Sequence, residues 1–210
     1  MIENKNISFY ENEELGTIQL NTKTPEHMWS VLAEELKTYL NGDSLEIGSG
    51  TGVYYEYLKN SKSLTSIELT DVNIKHLKAK GYNNIIKHDL NNYPYPFEDN
   101  SFDFILFSHV LEHLYSPVLA LTECHRILKP GGILLLGVPN CDTKIYNNWD
   151  FEGHYYAMNY KGWEYIIKKT GFNINKTYFN GLLSSNKTYL KLMQPFFKFL
   201  GLDPWFICKK

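Results

Sequence analysis

The feature that most constrains this chain is a glycine-rich turn at residues 45–52, Leu-Glu-Ile-Gly-Ser-Gly-Thr-Gly. Apolar residues lead into three alternating glycines, Gly48, Gly50 and Gly52, and the segment that follows is typical of a helix. A strand, a tight glycine turn and a helix start form a ligand crevice at the carboxyl end of a parallel strand. Glycine suits this place because a Cβ would hold the backbone away from a ligand. The pattern predicts a nucleotide-type crevice, or else a glycine turn without a ligand.

The remainder of the chain alternates between strand and helix patterns. Strands are predicted at 44–47, 64–69, 84–88, 102–108, 133–138, 175–179 and 205–209, and helices at 24–41, 53–61, 71–80, 118–128 and 161–169. Such alternation requires right-handed βαβ crossovers. The predicted fold is therefore α/β and doubly wound, a Rossmann-like sheet of seven strands with helices on both faces.

Two acidic side chains follow predicted strands on the side where such a sheet binds ligands. Glu68, after the second strand, can accept both ribose hydroxyls of an adenosyl group, or it is a surface acid at a strand end. Asp89, after the third strand, can accept from an adenine amino group while the Leu90 amide reads a ring nitrogen. The alternative for Asp89 is a residue that starts a turn.

These residues belong to an ordered series of motifs. The series is Glu46-Ile-Gly-Ser-Gly-Thr-Gly, Glu68, Asp89, a Pro-Phe-x-x-x-Ser-Phe-Asp run, Ser108-His-Val-Leu-Glu-His-Leu and Leu128-Lys-Pro-Gly-Gly. In order and spacing it resembles the class I S-adenosylmethionine (SAM) dependent methyltransferases, in particular the small-molecule members called type 11. The resemblance covers about residues 40–140 and extends more weakly to the carboxyl end. It implies a mostly parallel sheet with an antiparallel last strand, SAM as cofactor and S-adenosylhomocysteine as product.

The resemblance also implies roles for individual residues. The glycine turn lies under the methionine part of the cofactor, Glu46 helps to orient its amino group, and Ser108 and His109 border the sulfonium. The implied cofactor-binding residues are Glu46, Gly48, Ser49, Gly50, Gly52, Glu68, Leu69, Asp89, Leu90, Ser108, His109 and His113. The implied organisation is a single domain, 1–210, with an amino-terminal arm and helix at 1–40, a cofactor-binding core at 41–140, and a substrate-side loop and last strands at 141–210.

Several other classes of protein are disfavoured. The dinucleotide fingerprint needs a third glycine, which this chain lacks after Gly52, so a nicotinamide-dependent oxidoreductase is a weaker alternative. His109 and His113 stand four apart, but a metalloprotease helix requires His-Glu-x-x-His and Glu112 is elsewhere, so we expect no metal. The chain has no Asn/Asp-Pro-Pro-Tyr run and no basic groove interleaved with aromatic residues, which disfavours nucleic acid as a partner.

Composition indicates a cytoplasmic protein. Its amino terminus is polar and acidic, it contains no apolar run of about 18 residues, and its three cysteines lack the spacing of metal ligands. Charge is unevenly distributed, with a net charge of −9 over residues 1–153 and +7 over residues 154–210. The basic part is either a solvated lysine face or a surface that attracts an anionic substrate or membrane.

The loop after the fifth strand supplies the candidate catalytic and substrate-binding residues. An oxygen or nitrogen nucleophile needs a base, and we expect His154 in this role; the alternative is a histidine hydrogen-bonded within the loop. Trp149, Tyr155 and Tyr156 are expected to wall the acceptor pocket; the alternative is that these aromatic side chains only pack within the loop.

A long insertion, 181–203, separates the last two strands. Its segment 187–201 has apolar residues at helical spacing, namely Tyr189, Leu192, Met193, Phe196 and Leu200, with lysines on another face. It caps an apolar acceptor, touches a membrane surface as a peripheral contact, forms a homodimer contact, or packs against a monomer's own core. The sequence thus predicts a methyltransferase that acts on a small-molecule, saccharide-linked or lipid-linked acceptor at oxygen. The alternative is a SAM-binding regulatory or non-catalytic partner subunit.

Overall fold

A parallel sheet with one antiparallel insertion organises the chain. The computed structural model describes residue 32 and residues 36–144, 153–180 and 187–210. The strands in this part are β1 (Asp43–Ile47), β2 (Ser63–Glu68), β3 (Asn84–Lys87), β4 (Phe102–Ser108), β5 (Leu128–Gly137), β6 (Asn173–Phe179) and β7 (Pro204–Lys209). They lie in the order β3-β2-β1-β4-β5-β7-β6. Strands β1 to β5 run parallel, and β7 is antiparallel to β5 and β6. The predicted fold class is confirmed.

The direction of the strand order reverses between β1 and β4. Both strands end at the same edge of the sheet, and their pairing runs from Ser44 opposite Phe104 to Ile47 opposite Phe107. In an open α/β sheet, ligands bind at such a switch point, outside the carboxyl ends of the strands. The glycine turn after β1 and the Ser108-His109 segment after β4 therefore face one crevice.

Helices flank the strands, as the sequence predicts. Those in the described part are α1 (Tyr55–Leu58), α2 (Asp71–Lys80), α3 (Pro117–Ile127), α4 (Tyr160–Lys169), α5 (Lys187–Leu192) and α6 (Gln194–Phe199), together with a 3₁₀ turn at Leu111–His113. Local capping explains the bounds of α2. The Thr70 side chain accepts from the Asn73 amide at 3.3 Å, and Gly81 ends the helix with φ of 109°.

The sheet buries side chains on both faces because its strands alternate between them. In β4, Ile105 and Phe107 pack on one face with α3 and with Trp163 of α4. Phe104 and Leu106 pack on the other face with Phe197 of α6. The carboxyl ends of the strands are therefore held by a core on each side.

Strand β5 is longer than predicted. It begins at Leu128, whereas the sequence predicted a helix stop at Lys129-Pro130-Gly131-Gly132 and a strand only from Ile133. The glycines allow this extension: Gly131 has φ of 80°, and the pairing with β4 shifts register between Phe102 and Phe104.

The predicted helical face at 187–201 is correct in part: Tyr189, Met193 and Leu200 pack against the core, whereas Leu192 and Phe196 are exposed. Helix α5 ends at Leu192 and α6 begins at Gln194, with a proline in its first turn. Proline has no amide hydrogen to continue a helix, but Met193 keeps a helical backbone and its carbonyl accepts from the Phe197 amide at 3.0 Å, so Phe197 joins the same buried face. The buried residue of α6 is Phe197, 1% exposed, whereas Leu192 is 74% exposed.

The predicted arm and most of the helix at 24–41 lie outside the described residues, although Leu32 and Leu36 are buried. Within the part of the chain that the structure describes, none of the helices has the length and apolar character needed to span a membrane.

Candidate functional site

The glycine turn after β1 has the backbone that the sequence predicts. Gly48, Gly50 and Gly52 have φ of 65°, 52° and 71°, which L-residues with a Cβ rarely adopt. The Gly48 amide donates to the Ile67 carbonyl at 2.9 Å, so the turn is tied to β2. A Cβ on Gly48 would overlap the Val110 side chain, which follows β4. The turn therefore brings bare backbone against the segment after β4.

Two predicted residues, Glu46 and Ser49, lie beneath this turn rather than on its surface. Glu46 is 2% exposed, and its Oε2 accepts a short hydrogen bond from the Tyr82 hydroxyl. Burial raises the pKa of the Glu46 carboxyl to about 7, against the opposing effect of the Tyr82 hydrogen bond. The Ser49 hydroxyl contacts the Glu46 carbonyl at 3.2 Å and the Ser66 hydroxyl at 2.7 Å. Both side chains support the turn from below.

Glu68, at the end of β2, is a buried carboxylate surrounded by donors. Its Oε2 accepts from the Gly50 amide at 2.8 Å. Its Oε1 accepts from the Leu69 and Thr70 amides at 2.8 and 3.2 Å, and from the Asn73 side chain at 3.3 Å. Burial raises the pKa of Glu68, and these hydrogen bonds oppose the rise. Since Oε1 is already saturated, Oε2 is the oxygen with capacity for a further donor.

The segment after β3 forms a side-chain-stabilised turn. Asp89 Oδ1 accepts from the Asn91 amide at 2.9 Å and from the Asn91 side chain at 3.2 Å. Leu90 is buried, and its carbonyl accepts from the Tyr95 hydroxyl at 3.3 Å. Oδ1 of Asp89 therefore stabilises a turn, which is the alternative role that the sequence offered for this residue.

Ser108 is the last residue of β4, and His109 follows it in a strained turn. The Ser108 hydroxyl lies 2.9 Å from the Tyr54 hydroxyl, which links the end of β4 to the segment after the glycine turn. His109 has φ of 51°, and its amide donates to the Gly137 carbonyl at 2.8 Å. A left-handed conformation costs a residue with a Cβ about 1–2 kcal/mol, so the neighbouring structure must hold it.

Beyond this turn, three histidines surround one buried carboxylate. Glu112 is 1% exposed, and its Oε1 lies 3.6 Å from His109 Nδ1, 4.0 Å from His113 Nε2 and 3.9 Å from His154 Nε2. We call these four residues the imidazole–carboxylate cluster. Burial opposes the charge of Glu112, but the imidazoles of His109 and His113 outweigh it and lower the pKa of the carboxyl. The cluster therefore favours a negative charge at a buried position.

The loop that carries His154 is fastened to the 3₁₀ turn. His113 Nδ1 lies 3.0 Å from the Gly153 carbonyl, and the Tyr155 amide donates to the Glu112 carbonyl at 2.9 Å. The Tyr156 hydroxyl donates to the Tyr115 carbonyl at 2.8 Å. Tyr155 is 44% exposed beside the cluster, whereas Trp149 lies outside the described residues.

Sequence reasoning missed Glu112. It considered Glu112 only for its spacing relative to His109 and His113, whereas the structure brings His154 to the same carboxylate. An available signal was that Glu112 and His113 adjoin the end of β4 while His154 follows β5, since neighbouring parallel strands end at one edge of the sheet.

A cavity of about 370 Å³ opens near the carboxyl end of β5. It is lined by Asn140, Asp142, Lys144, Tyr160, Lys198, Phe199 and Gly201. The Asn140 amide donates to Asp203 Oδ1 at 3.0 Å, which joins the loop after β5 to the residue before β7. Lys144 lies 3.7 Å from the centre of the Phe199 ring, and Lys198 lies 4.7 Å from the centre of the Tyr160 ring. Residues of the 181–203 insertion thus form one wall of the cavity.

Comparison with known proteins agrees with this architecture. A family model described as a methyltransferase domain matches residues 45–136. A probable SAM-dependent methyltransferase of Mycolicibacterium smegmatis is 29% identical over 99 residues, 47% of this chain, and the chain spans only 38% of that protein's length. An uncharacterized protein of Methanocaldococcus jannaschii is 30% identical over 155 residues, 69% of this chain and 72% of that protein.

Solved structures show the same fold. The crystal structure of a SAM-dependent methyltransferase from Archaeoglobus fulgidus aligns with a TM-score of 0.64 and 20% identity, over 86% of this chain and 94% of that chain. The family match covers the glycine turn and the ends of β2, β3 and β4. Residues 45–136 therefore belong to the methyltransferase-domain family, and the chain has the fold of a SAM-dependent methyltransferase.

Proposed function

We propose that this methyltransferase transfers the methyl group of SAM to a hydroxyl oxygen of a small-molecule, saccharide-linked or lipid-linked acceptor. The observation that carries the proposal is the imidazole–carboxylate cluster, which lies beyond β4 and β5 at the edge of the sheet that also holds the glycine turn. A hydroxyl is a poor nucleophile until its proton is removed, and imidazole is the side chain that accepts a proton near neutral pH.

The residues at the crevice fit SAM. A Cβ on Gly48 would collide with Val110, so glycine lets the turn pack against the segment after β4, and we propose that the methionine part of SAM binds beside this turn. Oε2 of Glu68 has capacity for a ribose hydroxyl, so we propose a single-oxygen contact there rather than the two-oxygen contact that the sequence suggested. Asp89 and Leu90 take the adenine, and Ser108 and His109 border the sulfonium. Bound SAM supplies a methyl group on a positively charged sulfur.

The chain's own residues then position the acceptor and move its proton. The O–H bond of the acceptor breaks and its proton passes to an imidazole of the cluster, which lies beside the buried Glu112 carboxylate. The oxygen forms the new C–O bond as the C–S bond breaks, and S-adenosylhomocysteine leaves. The sequence predicted His154 alone as the base, and the present proposal includes all three imidazoles of the cluster. Much of the rate enhancement is expected from alignment of the reacting atoms.

The cavity beside β5 is the proposed acceptor site. Its volume falls in the usual range for small-molecule pockets, about 300–1,000 Å³. Lys144 and Lys198 line it and favour an acceptor that carries an anionic group. Phe199, on the same wall, is 65% exposed, and Phe196 and Leu192 are also exposed on α5 and α6. These apolar residues suit the hydrocarbon part of a lipid-linked acceptor or a peripheral membrane contact.

A cofactor titration followed by a turnover assay tests the proposal. We expect SAM and S-adenosylhomocysteine to raise the melting temperature in a concentration-dependent manner, and NAD and NADP to leave it unchanged. Release of S-adenosylhomocysteine is then measured with matched acceptors that offer a hydroxyl, an amine or a thiol. Turnover restricted to amines or thiols would contradict transfer to oxygen. SAM binding without turnover on any acceptor would favour a regulatory or non-catalytic subunit.

A variant separates catalysis from cofactor binding. We expect His154→Ala to keep the thermal shift with SAM and to lower kcat, because the side chain lies in the cluster and not at the glycine turn. Full activity in this variant would remove His154 from the reaction.

A further inference from the structure

The imidazole–carboxylate cluster contains an unsatisfied polar atom. Glu112 Oε2 is buried and has no hydrogen-bond partner among the described residues. A carboxylate oxygen without a partner in the interior costs about 1–3 kcal/mol or more, because it has lost its hydration. Buried polar atoms in folded proteins are otherwise nearly always hydrogen-bonded, and a bound ion is one way to satisfy this oxygen. Glu112, His113 and His154 each offer one ligand atom, and these three atoms lie within 4.8 Å of one another.

The tautomer of His113 suits a metal ligand. Its Nδ1 faces the Gly153 carbonyl at 3.0 Å, and a carbonyl only accepts hydrogen bonds, so Nδ1 carries the hydrogen. In the neutral ring, the lone pair is then on Nε2, which faces Glu112. In metal sites, a histidine ligand commonly donates the N–H of its other ring nitrogen to a backbone carbonyl. This hydrogen bond fixes the orientation of the ring and makes the ligating nitrogen more basic.

The distances are near those of a loaded site. Bonds of about 2.0–2.1 Å in a tetrahedral arrangement separate two ligand atoms by about 3.3–3.4 Å. Glu112 Oε1 lies 4.0 Å from His113 Nε2 and 3.9 Å from His154 Nε2. An ion bound at this site would therefore require the two separations to shorten by about 0.5–0.7 Å.

We propose that Glu112, His113 and His154 bind a divalent transition-metal ion of the zinc type. Two imidazole nitrogens and one carboxylate oxygen form a set that suits zinc, cobalt or nickel better than magnesium, which prefers oxygen ligands. Three protein ligands leave a coordination position open, as in catalytic zinc sites. The sequence predicted no metal because Glu112 does not occupy the glutamate position of His-Glu-x-x-His relative to His109 and His113, and the approach of His154 is a property of the fold.

The role of the ion in catalysis rests on the proposed function. A hydroxyl directed at the open position would lose its proton more readily, because a cation lowers the pKa of an oxygen it polarises. His109 is not one of the three proposed ligands, and its Nδ1 lies 3.6 Å from Oε1 of Glu112. As in the proposed function, the O–H and C–S bonds break and the new C–O bond forms.

Metal binding is tested directly on the full chain. The protein is treated with a chelator, dialysed and titrated with Co²⁺, followed by visible absorption, and with Zn²⁺, followed by calorimetry and by displacement of Co²⁺. We expect one tight site per chain. Glu112→Gln and His154→Gln should each weaken binding by about 100-fold or more, since loss of an outer-shell partner alone costs about 10–100-fold. His76→Gln, on α2, is the matched control and should bind as the wild type does.

Two ligand variants are used so that the test of metal binding does not depend on the folding of either one. Circular dichroism and the thermal shift with SAM establish that each is folded, and His154→Gln decides if Glu112→Gln does not fold. A wild type without stoichiometric Co²⁺ binding, or folded variants with unchanged affinity, would overturn the metal site. Methyl transfer by a protein that binds no metal would overturn this inference alone. Metal binding without methyl transfer would leave the site standing and contradict the proposed function.

Discussion

The Gly50 amide donates a 2.8 Å hydrogen bond to Oε2 of Glu68, so the carboxylate at the end of β2 holds the glycine turn that follows β1. Oε1 of the same carboxylate accepts the Leu69 and Thr70 amides. One buried side chain therefore sets the relative position of two strand ends. Because both strand ends face the crevice, Glu68 affects the shape of the proposed SAM site as well as its contacts.

Replacement of Glu68 should weaken both SAM binding and folding. We expect Glu68→Ala to lower the affinity for SAM about tenfold or more, at least ~1.4 kcal/mol, as for the loss of a charge-assisted hydrogen bond. Isothermal titration calorimetry measures the affinity at a temperature where circular dichroism shows a folded chain. Asp71→Asn, at an exposed carboxylate paired with Lys87, is the control and should have little effect. Unchanged affinity in Glu68→Ala would exclude the ribose contact.

The buried Glu46 should make stability depend on pH. Its pKa rises from 4.5 to about 7 in the folded state, mainly through burial. Below pH 4.5 the group is protonated in both states, and between 4.5 and 7 the unfolded state alone ionises. The free energy of unfolding should therefore fall as pH rises through this window, by about 1.4 kcal/mol per unit.

Urea unfolding between pH 4.5 and 7.5 isolates this contribution. Glu46→Gln should remove it, so that the difference in unfolding free energy between the variant and the wild type grows with pH. Glu56→Gln, at a carboxylate 72% exposed, should run parallel to the wild type over the same range. A parallel profile for Glu46→Gln would show that Glu46 ionises normally in the folded protein.

Two alanine substitutions separate backbone strain from collision at the glycine turn. Gly48 and Gly131 have φ of 65° and 80°, so alanine costs about 1–2 kcal/mol at either position. At Gly131 the added Cβ would lie 3.8 Å from Lys209, an ordinary contact, whereas at Gly48 it would overlap Val110. We expect Gly48→Ala to be the more destabilising in thermal unfolding and to lose the shift with SAM, which Gly131→Ala retains. Equal effects of the two substitutions would refute the collision.

The adjacent phenylalanines of α6 test how the insertion packs. Phe197 is 1% exposed and belongs to the core, whereas Phe196 is 47% exposed. We expect Phe197→Ala to lower the unfolding free energy by about 3–5 kcal/mol, and Phe196→Ala to change it by less than about 1 kcal/mol. If Phe196→Ala were the more destabilising variant in urea denaturation, Phe196 rather than Phe197 would be the side chain that α6 buries.

Helices and strands whose bounds are set by residues close together in the chain were predictable from the sequence. The bounds of α2 follow from a capping residue and Gly81, and β4 follows from a run of apolar residues with the length of a buried strand. The break between α5 and α6 was missed because apolar spacing was read across Pro195 as if one helix continued. The packed face nevertheless continues across the break, because the Met193 carbonyl accepts from the Phe197 amide, and it is Phe197 rather than Phe196 that the core buries.

The sequence by itself determined the α/β alternation, the glycine turn and the acids at the ends of β2 and β3, because turn conformation and hydrophobic periodicity depend on residues close together in the chain. The tertiary structure alone decided that Oε1 of Glu68 is saturated and that His154 reaches Glu112. Contacts of this kind depend on the order of the strands in the sheet and on the path of the loops that connect distant segments of the chain. The free energy that holds them comes from burial of the whole core and leaves no local pattern of residues.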